Sequence, residues 1–234
     1  MKPPASPPFL TVPQLEKITF LSHGFGTFIW KIQDFKKRPE WKNFRLIFLR
    51  QIHSNMVHPV VESFKNDCQG DAMITDRPHL LLIIKTADCL PVLMADEGKR
   101  VIVAVHCGWR GTSKSVVQHV VRALKRYYGC SPPSLFVAMG PHIGKECYEV
   151  GEEVMKSFEL AGLSLDFFHP HPQQKGKYFF DLKKANASQL LSLGIKKENI
   201  FSLDFCSHCR PDFPSYRRDG KEAGRVLSFI GMSF

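Results

Sequence analysis

The sequence predicts one α/β (α+β) sandwich domain, a mixed and largely antiparallel sheet with flanking helices. Two observations predict it. Short apolar runs rich in branched residues, each bounded by Gly, Pro or charge, read as buried strands. Helical segments fall among them without a regular βαβ repeat, and the successive runs 80–86, 90–95 and 100–106 have connections too short for helical crossovers. The clearest strands, in order, are 46–49, 80–84, 101–105 and 136–139. Two helices are well signalled: 112–128, with Thr112 or Ser113 as N-cap and Gly129 as stop, and 181–193, capped by Asp181 and ended by Gly194. A third is expected over 152–161. Residues 3–8 read as a linker and 169–177 as a loop, and no internal repeat or low-complexity block interrupts the pattern.

At 234 residues the chain lies within the range that α/β folds use as one unit. Residues 1–19 form an expected N-terminal extension and first segment, and 20–234 the domain. With 44% hydrophobic and 23% charged residues, such a chain buries a core without disulfides or a structural metal, leaving any metal free for chemistry. No run approaches the ~18 uncharged apolar residues of a membrane span, and the proline-rich start reads as neither signal peptide nor anchor. Seven scattered cysteines, an odd number, argue against a secreted disulfide framework, so reduced thiols in a cytoplasmic protein are expected. The net charge of +10 attracts phosphate groups through the long-range field. The basic residues are dispersed and form no recognised nucleic-acid module, so most read as solvated surface, with a few arginines left for an anionic ligand. Monomer is the default oligomeric state.

Three segments end an apolar run on a His or Cys: Gln51-Ile52-His53, Ala87-Asp88-Cys89 and Val105-His106-Cys107. Strand ends are where a rigid scaffold presents ligands to a cleft. Their spacing is not a compact metal motif, and the plainer reading is a surface histidine, a small buried cysteine and a hydrogen-bonded strand-end histidine. Against that reading, Gly108 and Gly111 bracket Trp109 and Arg110 where a strand turns into a helix. There the backbone can approach a ligand, and helix N-terminal amides with an arginine can hold an anion.

Through Gln51-Ile52-His53, Gly70-Asp71-Ala72, Thr86-Ala87-Asp88-Cys89-Leu90-Pro91, His106-Cys107-Gly108-Trp109-Arg110-Gly111, Cys147-Tyr148-Glu149-Val150, Cys206-Ser207-His208-Cys209 and Ser215-Tyr216-Arg217-Arg218-Asp219-Gly220, the chain resembles the laccase-domain family. The resemblance covers about residues 20–232. That family was first described as multicopper polyphenol oxidases and later assigned purine nucleoside phosphorylase and adenosine deaminase activities. It implies metal ligands at His53, Cys89 and His106, a set that suits zinc and leaves a fourth position open. It implies purine nucleosides and phosphate as substrates: phosphorolysis of adenosine, inosine, guanosine or methylthioadenosine, and hydrolytic deamination of adenosine. Arg110, Arg217 or Arg218 would hold phosphate, and Gln51 and Tyr216 would contact substrate. Asp88 is the candidate for proton transfer or for orienting the metal site, beside an ordinary strand-end hydrogen bond.

The chain departs from the family pattern after Phe25, where Gly26-Thr27-Phe28-Ile29-Trp30 replaces an Arg and paired glycines, and at Cys107, His142 and Pro214. Cys107 neighbours a ligand, but adjacent strand residues point to opposite faces. Cys206 and Cys209 read as pocket-lining or buried, with half of a structural zinc site or a redox pair as the other reading. Trp109, Phe213 and Tyr216 are candidates to stack on a purine, against ordinary core roles. Alternatives to the zinc reading are a metal-free cysteine hydrolase with Cys89 as nucleophile and His106 as base, a copper-dependent polyphenol oxidase, and a basic nucleic-acid binder without activity.

Overall fold

The computed structural model describes residues 9–27, 35 and 37–233. The expected linker at 3–8 and the divergent residues 28–30 lie outside them. Strands and helices are numbered in chain order. One sheet has five strands in the spatial order β1 (Phe9–Leu10), β2 (Leu21–Gly26), β14 (Val226–Met232), β6 (Leu80–Thr86) and β3 (Arg45–Phe48). A second has six: β13 (Ile200–Ser202), β9 (Leu135–Met139), β7 (Leu90–Asp96), β8 (Val101–Cys107), β5 (Ala72–Thr75) and β4 (Val57–Pro59). A small third sheet has the order β10 (Glu149–Gly151), β12 (Lys177–Phe180), β11 (Phe168–Pro170). Pairing is antiparallel except at β3–β6, β4–β5 and β9–β13.

Alternation along β8 shows how the layers stack. Val101, Val103, Val105 and Cys107 point to one core, and Ile102 and Ala104 to another. The first core packs the six-stranded sheet against helices, with Val116, Val120 and Leu124 of α3 (Val116–Tyr128), Phe158 of α4 (Glu152–Leu160) and Leu190 of α5 (Leu182–Ser192). The second lies between the two large sheets and takes Leu82 and Ile84 from β6 and Ile230 from β14. Val12, Leu15 and Ile18 around α1 (Pro13–Glu16) close it from the N-terminal side. Phe35 and Trp41 pack on Phe229 of β14 and cover the outer face of the five-stranded sheet.

Three sequence expectations change. The runs 80–86 and 90–95 do not pair: β6 ends at Thr86 in one sheet and β7 begins at Leu90 in the other, so Ala87-Asp88-Cys89 is a corner between sheets, with Asp88 at φ 77°. The helix expected over 112–128 is two, α2 (Trp109–Ser113) and α3, separated at Ser115 with φ 59°. Neither Thr112 nor Ser113 caps it. Two buried amides of α5 end α2 instead: Gln189 Nε2 donates to the Thr112 carbonyl at 3.0 Å and Asn186 Nδ2 to Thr112 Oγ1 at 3.0 Å. The stretch 169–177 contributes to a hairpin, since β11 and β12 pair antiparallel across it. The Gly129 stop, at φ 64°, and the Asp181 cap, accepting from Lys184 N at 2.8 Å, are as expected.

His23 on β2 is buried and its Nε2 accepts the Val12 amide at 2.9 Å, which ties α1 to the sheet. Burial, partly offset by Glu16, lowers its pKa from 6.5 to about 4. The unfolded chain therefore binds a proton in a window where the native chain does not. Stability should fall by up to about 3 kcal/mol as pH drops from 6.5 to 4 and stop falling from this cause below that. Urea unfolding of His23→Gln at both pH values checks this: the variant should lose that part of the slope, and an unchanged slope refutes the assignment.

Candidate active site

The chain leaves β3 through Leu49 and Arg50 into a turn that carries His53. Gln51 pins that turn to the end of β6, its Nε2 donating to the Lys85 carbonyl and its Oε1 accepting the Lys85 amide, both at 2.8 Å. His53 sits at φ 56°, a conformation that needs outside support. The support is Asp71, fully buried just ahead of β5. Its carboxylate accepts the His53 amide at 3.0 Å, and both the amide and the hydroxyl of Ser54 at 2.6 Å. The same carboxylate meets His106 Nδ1 at 2.8 Å. His106 is the penultimate residue of β8 and by alternation shares the face of Ile102 and Ala104, toward the gap between the sheets. Cys89 reaches the same point from the corner between the sheets. Asp88 holds that corner, with Oδ1 accepting from Ser207 Oγ at 2.6 Å and Oδ2 from the Arg217 amide at 2.7 Å.

The ligating atoms of His53, Cys89 and His106 lie within 4.8 Å of one another. With Asp71 on Nδ1, His106 turns Nε2 toward Cys89, with which it hydrogen-bonds. Burial opposes a charge on His106, but the negative charge at Cys89 and the Asp71 carboxylate outweigh it and lift the pKa to about 9. His53 moves the other way, lowered by burial and then by His106. Burial would raise Asp71, yet hydrogen bonds from His106 and Ser54 hold its carboxyl below the usual range.

Three features fit a metal ion. His53 Nδ1 is buried and has no hydrogen-bond partner among the described residues. The three residues offer two imidazoles and one thiol, a donor set for a catalytic zinc with an open position. Beside them Gly108 leaves room that a side chain would fill: an added Cβ would lie 2.7 Å from His53 Nδ1 and 3.1 Å from Cys89 Sγ.

The cluster forms one wall of a cleft of about 1090 Å³. Of the sequence-derived candidates, Gln51, Asp88, Trp109, Arg110, Tyr216 and Arg217 line it with the three clustered residues. Arg110 stacks over Trp109 at 4.3 Å. Arg217 donates to the carbonyls of Glu149 at 2.7 Å and Cys147 at 3.4 Å. Arg218 does not line the cleft. Its guanidinium is spent on the carbonyls of Ser207, His208, Arg210 and Phe213 and on Asp219, so it braces the C-terminal segment. Phe213 is buried away from the cleft, and Cys107 belongs to the helix-side core, where burial raises its thiol pKa.

Sequence reasoning missed four contributors. Asp71 stood in the sequence only within the Gly70-Asp71-Ala72 motif, with no role; the structure sets it ahead of a fully buried strand, where a charge must find partners. Tyr148, Lys85 and Arg225 also line the cleft. Burial and the charge at Cys89 raise the Tyr148 pKa, so its phenol stays protonated. Lys85, Arg110, Lys177, Arg217 and Arg225 outnumber Asp88, Glu149 and Glu153 along the walls, which biases the cleft toward anions.

Fold and site together define a three-layer α+β protein with a His–Cys–His centre at the mouth between two sheets. Residues 31–233 match the multi-copper polyphenol oxidoreductase laccase family, and the chain belongs to that family. It is 38% identical over 194 residues to a purine nucleoside phosphorylase of Clostridium acetobutylicum, covering 82% of this chain and 79% of that protein. It is 32% identical over 195 residues to an adenosine deaminase of an unknown prokaryotic organism, covering 79% and 74%. The crystal structure of YlmD from Geobacillus stearothermophilus superposes with a TM-score of 0.85 at 26% identity, over 98% of this chain and 97% of that one. The hypothetical protein YfiH of Bacillus licheniformis gives 0.88 at 25% identity, over 98% of each chain. No helix among the described residues is long and apolar enough to cross a membrane.

Proposed function

We propose that this protein is a zinc-dependent purine nucleoside enzyme that cleaves adenosine, inosine, guanosine or methylthioadenosine with phosphate and deaminates adenosine by hydrolysis. The observation that carries this reading is the approach of His53, Cys89 and His106 to within 4.8 Å at the wall of a cation-rich cleft. The names of the relatives support it. Zinc held by these three residues would supply Lewis acidity and bring the ionisation of water at the site toward neutral pH.

The chain's own residues do the rest. Arg110 and Arg217 grip the phosphate, Trp109 and Tyr216 flank the purine, and the protonated Tyr148 donates a hydrogen bond to substrate. Asp88 is a positioning residue, because both its oxygens are engaged in fixing the segment that carries Arg217. A copper oxidase would need ligands for several coppers grouped at the reacting site, and the cleft cluster of one thiol and two imidazoles suffices for a single one. The line Asp71–His106–Cys89 also has the order of a nucleophilic triad. That reading leaves the unpartnered His53 Nδ1 without a role.

Chelation separates the two. Removal of metal from protein purified without added metal should cut inosine phosphorolysis and adenosine deamination by at least ~100-fold, with zinc restoring both. Turnover that survives complete metal loss overturns the proposal. On the metal-loaded enzyme, Arg110→Lys should lower phosphorolysis roughly 10-fold and deamination no more than about 3-fold, since a point charge cannot reproduce the bidentate fork on phosphate. Equal losses at unchanged melting temperature refute the phosphate role.

A further inference from the structure

A second cluster of ligating side chains lies outside the cleft lining, where the segment 144–147 meets the loop 206–209. Cys147 Sγ and Cys209 Sγ are 3.3 Å apart, and the ligating atoms of Cys147, His208 and Cys209 fall within 4.8 Å of one another. Cys206, in the same loop as Cys209, stands close enough that its sulfur and those of Cys147 and Cys209 shift one another's titration. Its Sγ accepts the Gly144 amide at 3.1 Å, and the nearby amides of His208 and Cys209 help to lower its thiol pKa. Amides two and three residues on, turned back at the first sulfur of a Cys-x-x-Cys turn, stabilise negative charge on that sulfur and aim both sulfurs at one point. Gly144 permits the close approach, since an added Cβ would sit 3.3 Å from Cys206 Sγ.

Three thiols and an imidazole drawn from segments about 60 residues apart match in type a structural Cys₃His donor set, three of whose ligating atoms already lie within 4.8 Å of one another. We propose that Cys147, Cys206, His208 and Cys209 bind a second, structural zinc ion. As the three Zn–S bonds form, each thiol gives its proton to solvent, and neutral His208 supplies a nitrogen lone pair. The ion would fasten together the two segments that hold the cleft's arginine wall. Arg217 donates to the Cys147 carbonyl, and Arg218 to those of Ser207 and His208.

Zinc content of the full chain, isolated under reducing conditions and titrated with Zn(II) alone, tests this. Wild type should hold about two equivalents, and Cys89→Ala and Cys147→Ser/Cys209→Ser about one each. In Cys89→Ala loaded with Co(II), thiolate-to-metal charge-transfer absorption should persist, a readout that stands even if the double variant does not fold. One equivalent in wild type and none in Cys89→Ala would overturn the second site and leave the cleft metal standing. One equivalent in wild type that survives Cys89→Ala and is lost from the double variant would support the second site and overturn the cleft metal. A Cys147–Cys209 disulfide in protein isolated without reductant, with no metal bound there after reduction, would also overturn it.

Discussion

Gly108→Ala should abolish metal binding at the cleft centre, and with it nucleoside turnover, while the protein stays folded. The backbone of Gly108 has φ −82°, which alanine adopts freely, so the substitution acts through space alone. The new methyl would lie 2.7 Å from His53 Nδ1, 3.3 Å from His53 Cε1 and 3.1 Å from Cys89 Sγ. All three atoms are far ends of side chains that can swing aside, so the fold loses only about 1–3 kcal/mol. The centre loses much more. A displacement of about 1 Å in a reacting group costs on the order of 100-fold, and a bound ion needs all three donors at once, so turnover should fall below roughly 1% of wild type. Zinc content, turnover and melting temperature of Gly108→Ala, with Cys89→Ala as the reference for complete ligand loss, measure this. Normal zinc and turnover in Gly108→Ala would show that the three side chains do not share an ion.

Parts of this centre were legible in the sequence. Apolar runs ending on His53, Cys89 and His106 marked three strand ends, and the glycines around Trp109 marked a close backbone approach. Alternation along β8 correctly set Cys107 on the opposite face from its neighbour. What was not legible depends on partners far along the chain. The corner at Ala87-Asp88-Cys89 reads as a hairpin because nothing local shows that β6 takes as its neighbour β14, whose Val226 lies opposite Thr86. The break after α2 is set by Asn186 and Gln189, 74 and 77 residues away. Arg218 has the same charge as Arg217, and only the fold separates them: Arg218 is turned out of the cleft onto Asp219 and four carbonyls, while Arg217 lines it. Cys147 is remote in sequence from Cys206 and Cys209, so their Cys-x-x-Cys spacing looked incomplete until the fold joined them.

Asp71→Asn should damage stability and metal affinity together, by separate routes. The buried carboxylate accepts from the amides of His53 and Ser54, from the Ser54 hydroxyl and from His106, and the Ile52 amide approaches it at 3.4 Å. An amide offers one oxygen where the carboxylate offered two, so at least one of these donors would face an N–H group. Leaving buried donors unpaired should cost about 3–5 kcal/mol. The second effect passes through His106. With the carboxylate on Nδ1, the imidazole keeps its proton there and presents Nε2 toward Cys89. Without it the tautomer and ring orientation are no longer fixed, which should weaken zinc about 10–100-fold. Ser54→Ala separates the two routes, because it removes the bond at Ser54 Oγ and leaves His106 anchored: it should lower the melting temperature with zinc affinity within about 3-fold of wild type. Zinc titration against a competing chelator, beside thermal unfolding of the metal-free proteins, reads both quantities. If Asp71→Asn and Ser54→Ala weaken zinc equally, Asp71 supports the fold alone and does not orient the ligand.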